Sequence, residues 1–146
     1  MRKAFVGLAA LLMLAIFVLF FLAGNGAFNS APNDEAFRPH RLLGMGTVFL
    51  AVVLAVVAAV GRMPGQIIGL TALVAGLGIL QPVIVVIAKA FGDSGSTTTA
   101  GQLVFGLHAV NGLIMMAVLH TIMQKVGGRK ATTPATTTAG SARSVS

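Results

Sequence analysis

The chain has 146 residues, 56% of them hydrophobic and only 9% charged, with ten Lys or Arg against three Asp or Glu and no cysteine. A soluble domain carries about a quarter charged residues, so this composition excludes a wholly water-facing surface and leaves lipid around much of the chain. The missing cysteines exclude disulfides, thiolate metal sites and thiol catalysis, and the net charge of +7 reads as membrane orientation rather than nucleic-acid binding, because the basic residues sit at span ends and in the tail.

A bilayer core of about 30 Å takes roughly 20 mainly apolar residues as a helix. Four segments meet this, at about 4–24, 42–60, 67–89 and 103–123. The first follows Met1-Arg2-Lys3; at about 20 residues it exceeds the roughly 7–15 of a cleaved signal core, and no small-residue cleavage site follows, so it is predicted to stay. Asn25 to Arg41 is polar and turn-rich, with Asn25-Gly26 at its start and Pro32-Asn33-Asp34-Glu35 in its middle. Pro39 suits the first turn of a helix, which puts His40 inside the second helix.

Small residues mark where helices in lipid approach one another. The second span offers Thr47, Ala51, Ala55 and Ala59, and ends at the turn Gly61-Arg62-Met63-Pro64-Gly65. The third offers Gly69, Ala72 and Gly76, with Ala75 and Gly78 nearby, and carries Gln81-Pro82. Pro82 has no amide to give the Gly78 carbonyl. After a Ser/Thr/Gly loop over Gly92 to Gln102, the fourth span offers Gly106 and Gly112. Residues 127–146 hold little to bury and are predicted to be disordered. The fold class expected is all-α, an integral membrane four-helix bundle over residues 1–126 in up-down-up-down order.

Lys and Arg of short loops stay on the cytoplasmic side. Arg2, Lys3, Arg62, Lys125, Arg129, Lys130 and Arg143 fall on one side without an acid, whereas Arg38, Arg41 and Lys89 on the other are balanced by Asp34, Glu35 and Asp93. Both termini are therefore placed in the cytoplasm, and the chain in the plasma membrane as a multi-pass protein.

Polar side chains within spans must face the bundle interior. Gln81 and Asn111 come to the same depth, and two readings stay open: a mutual hydrogen bond, or a small polar pocket for a ligand such as a quinone headgroup. His40 and His108 both fall in the outer half, while His120 lies about 18 Å further along its helix and shares no site with them. Two neutral imidazoles on facing helices suit the two axial positions of a haem, here a b-type haem. Equally, His40 can sit among headgroups and His108 can bond a carbonyl or Gln81. Arg38 and Arg41 would pair with haem propionates in the first reading and anchor the interface in the second. No metal site is expected. Asp34, Glu35 and Asp93, the only carboxylates, lie in outer loops without triad or metal spacing, so the chain is not read as an enzyme.

The string Phe37-Arg38-Pro39-His40-Arg41-Leu42-Leu43-Gly44, the step Leu80-Gln81-Pro82 and the run Leu107-His108-Ala109-Val110-Asn111-Gly112 resemble a family of small four-span actinobacterial membrane proteins of unknown function, over roughly residues 5–126. That resemblance implies no activity. A more distant one is to a four-helix half of haem A synthase, in which a His-Arg string opens the second helix and a second histidine lies in the fourth. It implies haem b held by His40 and His108. Phe37 stands where that family has a glutamate, and only one half is present, so a second haem site and the synthase reaction are not implied. The function expected is a small membrane protein of unknown role, an accessory or structural subunit with the bilayer, a membrane-protein partner or its own copies as company. The alternative is a bis-histidine haem protein for electron transfer or haem handling. A transporter ranks last, because no intramembrane acid or pair of broken helices is present.

Overall fold

The computed structural model describes residues 2–92 and 98–127. Backbone amides have no water to bond in lipid, so apolar spans close their hydrogen bonds internally as helices. The described residues form α1 (Arg2–Ala27), α2 (Asn33–Ala36), α3 (Arg38–Val60), α4 (Gly65–Lys89) and α5 (Thr99–Gly127). All but α2 are long and apolar enough to cross a membrane. Each of the four reaches beyond its expected span, because polar residues at the ends continue the helix past the apolar run. Asp93, Arg129, Lys130, Arg143 and the tail beyond Gly127, on which expectations were also placed, lie outside the described residues.

The Asn25–Arg41 connection is more ordered than its turn-rich sequence implies. α1 runs on through Asn25 and Gly26, and Asn33–Ala36 adds a helical turn before α3. At Gly26 an added Cβ would come within 3.0 Å of the Phe37 ring and 3.2 Å of the Ala36 carbonyl oxygen. A side chain here would press on both, so glycine suits the close return of the connection onto α1. Pro39 lies in the first turn of α3, with His40 inside the helix.

The four long helices pack in a ring: α1 against α3 and α5, and α4 against the same two, with α1–α4 and α3–α5 as the diagonals. Their buried residues repeat in alternating steps of three and four. On α1 these are Phe5, Ala9, Leu12 and Ile16; on α3, Thr47, Ala51, Leu54 and Ala58. This is the spacing that keeps a seam facing its neighbours. It corrects the expected small-residue stripes. Steps of four drift about 40° each at 3.6 residues per turn, so Ala55 is only partly buried and Ala59 is exposed. On α4 the buried small residues are Ala75 and Gly78, while Gly69, Ala72 and Gly76 face outward. On α5 Gly112 is buried, and Gly106 faces outward with open space where a Cβ would go.

The α3–α4 turn closes the helix end with hydrogen bonds from Met63 N–H to the Ala58 carbonyl and from Arg62 N–H to the Ala59 carbonyl, both 3.0 Å. This paired closure puts the residue after the cap in the left-handed region, a place usually given to glycine. Here it falls on Arg62, with φ of 48°, one residue beyond Gly61. Arg62→Gly is therefore expected to raise unfolding stability by about 1 kcal/mol, read from a denaturant titration in detergent micelles. An unchanged or lowered midpoint would refute the strain. At the same end of the bundle the Arg2 guanidinium donates to the Val126 carbonyl, where the C-terminus of α5 favours a cation.

Candidate functional site

The opposite end of the bundle gathers the polar residues. α3 and α5 are diagonal, yet the His40 and His108 rings meet there, with centroids 6.0 Å apart and planes inclined by 50°. Each ring is held by a backbone carbonyl of a neighbouring helix. His40 Nδ1 lies 3.0 Å from the Leu19 oxygen of α1, and His108 Nδ1 lies 3.3 Å from the Gln81 oxygen of α4. A carbonyl only accepts, so each Nδ1 donates its N–H, and in the neutral ring each Nε2 keeps its lone pair. A second partner at Nδ1 of this kind is how proteins orient imidazoles that ligate metals.

A phenylalanine accompanies each histidine three residues earlier in the chain. Phe105 stacks on His108 at 5.7 Å with planes 6° apart, and Phe37 meets His40 edge-on at 6.4 Å. The repeated Phe-x-x-His spacing was legible in the sequence and went unread. The carbonyls of Leu19 and Gln81 carried no comparable signal, since every residue has one.

Gln81 and Asn111 do not bond each other, which settles one of the two open readings against it. Asn111 is buried and donates through Nδ2 to the Leu77 carbonyl at 2.8 Å. Pairs 77–111 and 81–108 show α4 and α5 running in opposite directions. The Gln81 side chain lies against Gly112, where a Cβ would stand 3.4 Å from Gln81 Nε2 and 3.2 Å from the Phe20 ring. Its Oε1 is buried without a hydrogen-bond partner. α4 passes through Pro82 without ending.

Arg41 is tied to Asp34, with Nη1 3.3 Å from the carboxylate and Nη2 donating to the Asp34 carbonyl. Arg38 is exposed at the first residue of α3. His120 is exposed towards the other end and pairs with Gln124 at 2.9 Å, apart from the first two histidines. Exposed Phe21, Phe28, Phe91 and Phe105 surround the site end, where a protein without Trp or Tyr has only phenylalanine to offer the membrane interface. Among the described residues no group of three or more His, Cys, Asp or Glu is placed to hold a metal ion.

Fold and site thus define an all-α chain with four membrane-length helices and a paired-imidazole cluster at one end. A family of unknown function (DUF6220) has a model that matches residues 19–89. This stretch holds His40, Gln81 and Pro82 and stops short of His108 and Asn111. No curated protein and no solved structure matches the chain. These findings support neither an actinobacterial source nor the likeness to haem A synthase.

Proposed function

We propose that the chain is a multi-pass plasma-membrane protein, up-down-up-down with both termini in the cytoplasm, whose outer end holds a b-type haem between His40 and His108. The basic ends at Arg2, Lys3, Arg62 and Lys125 support the orientation, since such residues are retained inside. The observation that carries the site is the ring pair. The two rings lie with centroids 6.0 Å apart and would hold the haem iron through their nitrogens. Both Nε2 atoms are free to ligate because both Nδ1 atoms are engaged. Bound haem supplies a one-electron iron couple. The chain holds the two rings in place, walls them with Phe37 and Phe105, and offers Arg38 as a cation for a propionate; Arg41 is already paired with Asp34. The role is electron transfer or haem handling without catalysis by the chain's own side chains. Association with a larger membrane complex or with further copies is compatible with it, and nucleic acid is not a partner.

The test is a dithionite-reduced minus air-oxidised absorption spectrum of the detergent-purified protein, beside His40→Ala and His108→Ala. A haem b band in the parent protein, lost from both variants, is the expected result. A silent spectrum after expression with added haem overturns the reading and returns the chain to a packing or accessory role.

A further inference from the structure

The two ends of the bundle differ in charge. Arg2 and Lys3 open α1, Arg62 lies in the α3–α4 turn and Lys125 in the last turn of α5, so all four share one end, and all are exposed. The described carboxylates, Asp34 and Glu35, belong to α2 at the other end. Among the described residues the one ion pair joins Arg41 to Asp34, and nothing acidic stands near the four cations. Like charges gathered at one end repel one another and work against the closed bundle. An anion bound among them removes that cost.

The cations meet at one seam. The Arg2 guanidinium donates to the Val126 carbonyl, which brings Arg2 and the neighbouring Lys3 of α1 to the part of α5 that carries Lys125. As first and last helices, α1 and α5 close the ring without a loop to join them, and theirs is the sparsest of the four seams. A guanidinium has five N–H donors, so one given to Val126 leaves a fork for a phosphate. The lysines carry their charges on flexible four-carbon stems that reach inward or outward. All three residues lie in the end turns of membrane-length helices, where long basic side chains keep their stems on apolar surface and their heads at the headgroup level. We propose that this end of the α1–α5 seam binds the phosphate of an anionic phospholipid, with Arg2 as the forked donor and Lys3 and Lys125 as adjoining cations. The acyl chains of such a lipid continue the apolar surface of both helices, which a soluble anion does not. The inference rests on the helices crossing a membrane, holds whichever end faces the cytoplasm, and does not involve the haem.

The experiment titrates phosphatidylglycerol, and phosphatidylcholine beside it, into the lipid-stripped full-length protein in detergent, with bound lipid counted by native mass spectrometry. Phosphatidylglycerol is expected to bind more tightly by about tenfold or more, since each basic residue near an anionic headgroup contributes about fivefold. Lys3→Gln and Lys125→Gln are each expected to weaken it by about that fivefold. Both leave the Arg2–Val126 bond in place, so their losses report on charge rather than on folding. Arg62→Gln, across the ring, is expected to weaken it by less than about twofold, and Arg38→Gln at the opposite end not at all, because salt screens distant exposed charges. Equal losses in Lys125→Gln and Arg62→Gln would leave only a general surface field and overturn the seam. Displacement of the lipid by an equal concentration of inorganic phosphate would make the ligand a soluble anion and overturn the proposal too. A chain that stays in solution without detergent sinks the membrane reading and this inference with it. One that needs detergent yet binds both lipids alike sinks this inference alone.

Discussion

Gly112→Leu is expected to lower unfolding stability by about 1–3 kcal/mol, the usual cost of forcing extra methylenes into a filled interior, and to disturb the paired histidines with it. The position is buried where three helices meet, and a Cβ alone would stand 3.2 Å from Phe20 Cζ and 3.4 Å from Gln81 Nε2. Phe20 belongs to α1, next in sequence to the Leu19 whose carbonyl orients His40; Gln81 belongs to α4, and its own carbonyl orients His108. A leucine here pushes both carriers of the ring pair at once. Gly106→Leu is the matched control: it lies six residues away on the same helix, faces outward and has nothing within 4 Å of an added Cβ. It is expected to stay within about 0.5 kcal/mol of the parent, as surface changes do. Equal losses from the two substitutions in a denaturant titration would contradict the packing at Gly112.

The contrast between these glycines shows how far the sequence could be read. Length and apolarity alone announce the four long helices, because lipid forbids any other backbone there. The depth of His40 and His108 also followed, from a rise of 1.5 Å per residue along helices whose ends were visible. Which side of a helix a residue occupies was harder. Glycine and alanine are common all round these helices, so Gly69, Ala72 and Gly76 formed a plausible stripe that turned out to face outward. The alternating three–four spacing of Phe5, Ala9, Leu12 and Ile16 was the better guide. Polar partners were harder still. Asn111 and Gln81 sit close together, but the Asn111 donor goes to a main-chain oxygen, and backbone acceptors leave no mark in a sequence. α2 was missed because four residues are too few to show a period.

Leu119→Ala is expected to cost about 2–5 kcal/mol, the range for leucine truncation in a packed interior, whereas Leu113→Ala costs little. Leu119 is 0% exposed and Leu113 is 57% exposed, six residues apart on one helix. In water both truncations would sacrifice hydrophobic burial or surface area to some degree. In a bilayer the comparison is cleaner, because lipid tails are as apolar as leucine and the outward side chain exchanges one hydrocarbon neighbour for another. What Leu119 loses is dispersion contact within the buried core cluster it shares with residues such as Leu12, Leu54 and Val74, and nothing in the closed bundle refills the space. Denaturant titration of both variants in mixed micelles measures the difference. A gap of 2 kcal/mol or more, the low end of that range, supports a tightly packed bundle interior with lipid outside. Equal effects would mean that α5 turns its Leu119 face to lipid, and with it the buried Asn111 and Met115 that share that side of the helix.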